Sequence, residues 1–143
     1  MRVLIDADGC PVVDITVKVC RSAGVECVLL CDTAHEFRRD GAVTLVFDKG
    51  ADSVDYALVR RLLPGDLVIT QDYGLASMCL AKGARILNQD GWEYTAHNIE
   101  GLLLFRHEAR KERIRSRRFK GPTKRTKEQD DRFEKALRDI LIP

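Results

Sequence analysis

An α/β fold with a mostly parallel sheet follows from three features of this sequence. Five short apolar runs, at residues 2–6, 25–31, 43–47, 66–70 and 84–87, are rich in β-branched side chains. They are apolar on successive positions, as strands buried on both faces should be. Between most of them lie longer stretches of helical pattern, at about 11–23, 51–63 and 72–82. Breakers punctuate the joins. Such alternation predicts a three-layer sandwich: a central, mostly parallel sheet of about five strands, covered on both faces, with further helices at the C-terminal end. A length of 143 residues fits one domain over 1–143.

The elements follow in order. Val3-Leu4-Ile5 is the clearest central strand. Pro11 suits the first turn of the next helix, and Gly24 its C-terminal stop. The strand at 25–31 carries Cys27 and Cys31. Residues 32–42 are less regular, although Asp32, Thr33 and Ala34 suit a helical turn. The strand at 43–47 leads into the helix at 51–63, which Pro64-Gly65 ends. The strand at 66–70 leads into the helix at 72–82, which Gly83 ends. A longer helix is expected from near Thr95 to about 112, with Ile99, Leu102, Leu103 and Phe105 on its apolar side. Residues 115–125 read as a basic loop broken at Gly121-Pro122. Thr126-Lys127-Glu128-Gln129 has capping-box spacing, so a last helix over about 127–141 is expected to bury Phe133, Leu137, Ile140 and Leu141.

The hydrophobic content of 45% is enough for a core, and no apolar run approaches a membrane span. No secretory leader is legible at the N-terminus. The cysteines, Cys10, Cys20, Cys27, Cys31 and Cys79, are odd in number and lack tight metal-ligand spacing. They read as reduced and mostly buried, which predicts a cytoplasmic protein with no membrane partner. Nothing in the sequence sets the oligomeric state.

Charge is segregated. Residues 106–127 hold eleven Lys or Arg and two acids, a local charge of +9. The rest carries −7, so the net +2 hides an acidic body with a basic arm. Such asymmetry points to a polyanionic partner. Arg115, Arg117, Arg118, Lys120, Lys124 and Arg125 are the candidate phosphate contacts, with Lys49 ahead of the helix at 51–63. A run of solvated charge, or pairing with Glu108 and Glu112, is the plainer reading. Base-specific readout is not suggested.

The acids gather at predicted strand ends. Asp6 and Asp8 follow the first strand, Asp72 follows the fourth, and Asp52 and Asp55, three apart, share a helix face. In open α/β sheets ligands bind outside the carboxyl ends of the strands. Carboxylates converging there would repel one another unless they hold a cation, and hard oxygen ligands suit Mg²⁺ or Mn²⁺. Asp6, Asp8, Asp52, Asp55 and Asp72 are therefore candidate metal ligands. A bound ion would polarise a phosphoryl oxygen and lower the pKa of a bound water. Aspartates also cap helices and fill turns, so each alone has a structural reading. Lys49, Thr70, Gln71 and Asn88 stand near the same edge, where a ligand contact and a turn hydrogen bond compete. His35, His97 and His107 are scattered. Trp92 and Tyr94 suit base stacking or cover over the core, with the core reading favoured, and Tyr73 likewise suits the core.

At Asp6-Ala7-Asp8-Gly9-Cys10-Pro11-Val12 the chain resembles the YaiI/YqxD family of bacterial proteins. The resemblance continues at Lys49-Gly50-Ala51-Asp52-Ser53-Val54-Asp55, Thr70-Gln71-Asp72-Tyr73-Gly74-Leu75-Ala76, Ala81-Lys82-Gly83-Ala84-Arg85, Arg106-His107 and Lys120-Gly121-Pro122-Thr123-Lys124-Arg125-Thr126. That family is similar to PIN-like (NYN-type) nuclease domains, whose acids cluster at the carboxyl edge of a parallel sheet and bind Mg²⁺ or Mn²⁺. The resemblance implies a PIN-like fold with Asp6, Asp52 and Asp72 as catalytic acids. Thr70 departs from it, because many PIN-like domains carry a further acid there.

Three functions follow as expectations. The first is a metal-dependent nuclease-like phosphodiesterase acting on RNA, with the arm holding the strand. The second is a phosphatase, because Val3-Leu4-Ile5-Asp6-Ala7-Asp8-Gly9 resembles the first motif of haloacid-dehalogenase-type enzymes, with Asp6 as nucleophile and Asp8 as acid/base. That reading needs a late acidic pair, and Asp130-Asp131 falls in a terminal helix. The third is an RNA-binding protein with no turnover, which Thr70 favours.

Overall fold

A computed structural model describes residues 1–34, 38–48, 53–105 and 124–142. Six strands form one sheet in the order β3-β2-β1-β4-β5-β6. They are β1 (Val3–Asp6), β2 (Cys27–Asp32), β3 (Val43–Phe47), β4 (Leu67–Ile69), β5 (Arg85–Leu87) and β6 (Glu93–Tyr94). The first five are parallel and β6 is antiparallel to β5. The helices are α1 (Val13–Ala23), α2 (Ser53–Arg61), α3 (Tyr73–Ala81), a helical stretch over 99–105 (α4) and α5 (Lys127–Leu141). The α/β class and the largely parallel sheet are as the sequence implies, with one strand more than expected.

Side-chain alternation along the strands builds two cores. Val3, Ile5, Leu29, Leu67 and Ile69 point to one face, where α1 and α5 cover them with Val13, Val17, Phe133 and Leu137. Leu4, Val28, Leu30, Val68 and Ile86 point to the other, under Leu58 of α2, Leu75 and Cys79 of α3 and Ile99 of α4. Full burial on both faces explains why β1, β2 and β4 read as unbroken apolar runs. All five cysteines are free, and only Cys10 is not fully buried. Among the described residues no helix is long and apolar enough to cross a membrane.

Local chemistry sets the boundaries. Gly24 takes φ 68° and its N–H donates back to Arg21, closing α1 in the left-handed turn that glycine favours. Thr95 and Asn98 exchange reciprocal bonds ahead of α4. The capping box at Thr126 and Gln129 is formed, so α5 starts where its sequence says. Pro11 lies in the turn before α1 rather than inside it.

The strand order creates a crevice. From β1 the chain steps outward to β2 and β3, then returns to the other side of β1 as β4. Beyond the carboxyl ends of β1 and β4 lies the reversal point where open α/β sheets place their ligands.

Candidate functional site

Asp6 ends β1 and Thr70 follows β4, so the register Ile5↔Ile69 brings these two side by side. The buried Thr70 hydroxyl donates to Asp6 Oδ2 at 3.0 Å and accepts from the Asp72 N–H at 3.0 Å. Asp72 Oδ1 in turn accepts the Leu75 N–H at 3.1 Å as the N-cap of α3. On the other side, Asp8 Oδ2 accepts the Asp32 N–H at 3.3 Å, so Asp8 leans toward β2. Between them Gly9 turns the chain at φ 70° beside Gln71. Asp55 lies in the first turn of α2. Burial raises the Asp6 carboxyl to about 6; the Thr70 hydrogen bond opposes this, and Asp55, Asp72 and Asp8 add to it.

Asp6 accepts from Thr70, and Asp8 and Asp72 accept from backbone N–H groups. The expected Mg²⁺ or Mn²⁺ centre is overturned: among the described residues no group of three or more His, Cys, Asp or Glu is placed to hold a metal ion. With it fall the metal-dependent nuclease and phosphodiesterase readings and the haloacid-dehalogenase-type phosphatase. The physical reason is visible at position 70. A hydroxyl there donates to Asp6 and adds no further carboxylate, while burial and the neighbouring acids still raise the Asp6 carboxyl. Asp6, Asp8, Asp55 and Asp72 therefore surround one edge without converging as ligands, and Asp52 lies outside the described residues.

The other candidates separate. Lys49, Arg115, Arg117, Arg118 and Lys120 lie outside the described residues, as do His35 and His107; His97 is exposed on the turn before α4. Lys124 is exposed. Arg125 is not presented to solvent. Its Nε donates to Asp130 Oδ1 at 2.6 Å, Nη1 to Asp90 Oδ1 at 2.8 Å and Nη2 to the Gln89 carbonyl at 2.6 Å. It pins the start of α5 to the turn after β5. Buried Asn88 organises that turn, donating to the Tyr94 hydroxyl at 2.9 Å and accepting the Asp90 N–H at 2.8 Å. Burial pushes Tyr94 up to about 12, against the opposing Asn88 bond. Tyr73, Trp92 and Tyr94 pack edge to face, with the Trp92 and Tyr94 centroids 4.5 Å apart.

The Arg125 clamp was hidden within a charge run. Its signal was the position just before a helix N-terminus whose first turn is acidic, with Asp130 five residues on.

A family model described as "Uncharacterized BCR, YaiI/YqxD family" matches residues 4–142. The chain is 48% identical to a "UPF0178 protein" of Exiguobacterium sibiricum over 141 residues, covering 99% of this chain and 96% of that one. It is 43% identical to a UPF0178 protein of Natranaerobius thermophilus (99% and 97% covered) and 44% identical to one of Ruminiclostridium cellulolyticum (100% and 94% covered). No solved structure matches it significantly.

Proposed function

We propose that this chain, which belongs to the YaiI/YqxD family, binds RNA and holds it without cutting it. One observation carries the reading: eleven basic residues within 106–127 set against a charge of −7 elsewhere. An RNA strand neutralised by Lys and Arg releases counterions, and that gain falls steeply with salt. Arg125 supports the reading indirectly. It ties the described end of the basic segment to the turn after β5. We read the fold more finely as PIN-like; the order of the five parallel strands and the acids after β1 and β4 support this. In this reading the acids are structural, held by Thr70 and by backbone donors.

The test is anisotropy of a labelled single-stranded RNA across 50–300 mM salt. Replacing Arg115, Arg117, Arg118 and Lys120 together with Ala should weaken binding and lower the salt slope by about 3, at roughly 0.7 for each phosphate no longer neutralised. The RNA should stay full length on a denaturing gel. An unchanged slope in the fourfold variant would sink the proposal.

A further inference from the structure

Between the turn after β5 and the face of α5 runs a groove of about 590 Å³. Gly91, Trp92, Gln129, Arg132 and Lys135 are among the residues that line it. Turn and helix approach closely here. Gly91 takes φ +90°, and a Cβ there would lie 2.7 Å from the Arg132 carbonyl. Only glycine lets the turn sit this near the helix, because a side chain would meet both the strained φ and the carbonyl.

The groove's chemistry is mixed in a specific way. Trp92 is the chain's only tryptophan and stays half-buried, packed edge-on against Tyr94. Arg132 is exposed and enters no ion pair among the described residues. The acids on the rim are answered: Asp90 by Arg125, and Asp139 by Lys135 at 3.3 Å. An aromatic surface beside an uncommitted guanidinium is the pairing that binds single strands, with the base on the ring and the phosphate on the cation. Arg125 bonds Asp90 on the same turn, so the basic segment ends beside this groove.

We infer that the groove between the 88–92 turn and α5 is a nucleotide subsite for single-stranded RNA, with Trp92 stacking on a base and Arg132 holding its phosphate. The inference rests on the RNA-binding reading and adds to it the place where one nucleotide is gripped. It calls for no base preference, since every base offers a stacking face.

The lone tryptophan makes the groove its own reporter. Unlabelled single-stranded RNA should quench Trp92 fluorescence along the same isotherm that anisotropy gives for labelled RNA. Trp92→Leu should weaken binding about tenfold, as loss of one stacked base does. Arg132→Ala, on an exposed helix position where Ala is well tolerated, should weaken it several-fold and lower the salt slope by about 0.7. It carries the test if far-UV circular dichroism shows Trp92→Leu misfolded. RNA binding with no quench, or with Arg132→Ala matching the parent, overturns the subsite and leaves the basic-segment reading standing. Absence of RNA binding altogether overturns both.

Discussion

Replacing Asp6 with Asn should stabilise this protein at neutral pH and leave its stability nearly unchanged in acid. Asp6 is mostly buried at the end of β1, near Asp55, Asp72 and Asp8, and its carboxyl is raised from 3.8 to about 6. A folded-state value above the unfolded one favours the protonated form. Its contribution is therefore complete below about pH 4 and is lost as pH rises through about 6. At about 1.4 kcal/mol per pH unit, that rise costs the wild-type fold about 3 kcal/mol by pH 8. Asn carries no charge to desolvate, and its side-chain oxygen still accepts the Thr70 hydroxyl. Because Asp6 keeps part of its surface in water, a net gain of about 1–3 kcal/mol is expected at pH 8.

The assay is urea unfolding of parent and Asp6→Asn at pH 4 and pH 8, followed by circular dichroism. With a slope of about 2 kcal/mol per molar, the variant's midpoint should lie about 0.5–1.5 M higher at pH 8 and should coincide with the parent's at pH 4. Comparing the two proteins at each pH cancels the titrating groups that do not interact with Asp6, leaving Asp6 and its coupling to Asp55, Asp72 and Asp8. A variant less stable than the parent at pH 8 would refute the reasoning, because it would mean the charged carboxylate contributes binding energy to the fold. An equal gain at both pH values would also refute it, since the effect would then owe nothing to ionisation.

Three further outcomes follow from the same geometry. Asp66 accepts from the Arg2 backbone and guanidinium and from the Leu63 N–H, bonds that hold its carboxyl below the usual range despite burial; Asp66→Asn should cost about 2 kcal/mol at pH 7 in urea melts, and less as pH falls and the wild-type carboxyl is protonated. Arg125→Ala strands Asp90 and Asp130 and frees the Gln89 carbonyl; a loss of about 2–3 kcal/mol is expected, and Arg125→Lys should recover only part of it because an ammonium cannot span three acceptors in one plane. Gly91→Ala forces a side chain to within 2.7 Å of the Arg132 carbonyl at φ +90°; thermal unfolding should show a loss of at least about 1 kcal/mol.

β1, β2 and β4 were legible because burial on both faces leaves no choice but uniform apolar sequence. Val3-Leu4-Ile5 and Leu67-Val68-Ile69 are of that kind. β6 was not legible. Glu93-Tyr94 is two residues long, shows no period, and exists only through its ladder to Ile86 and Leu87. At the site, Asp6 and Asp72 could be placed from the apolar runs before them, but not their roles. Those depend on Thr70, a partner 64 residues from Asp6 that sequence separation conceals. The hydroxyl at 70 was visible as a departure from the nuclease pattern; only the bond lengths say that it ties the acids together. Arg125 shows the converse: composition counts a cation without saying whether it faces solvent or folds back on carboxylates.

The acidic body and the basic segment must be weighed together, since a charge of −7 outside 106–127 repels the partner that the segment attracts. Distance decides between them. At physiological ionic strength the Debye length is about 8 Å, so phosphates held beyond that distance from the carboxyl edge feel little of its repulsion. Phosphates drawn close to Asp6, Asp8 and Asp72 would feel much of it. RNA is therefore expected to lie along the basic segment and in the groove of Arg132, not over the crevice between β1 and β4. This makes the repulsion itself measurable. Neutralising the edge with Asp8→Asn should raise RNA affinity modestly at low salt and leave it unchanged at 300 mM, where anisotropy titrations of the two proteins should superimpose. A strand threaded through the crevice would instead gain several-fold at every salt concentration, because a charge touched directly is poorly screened.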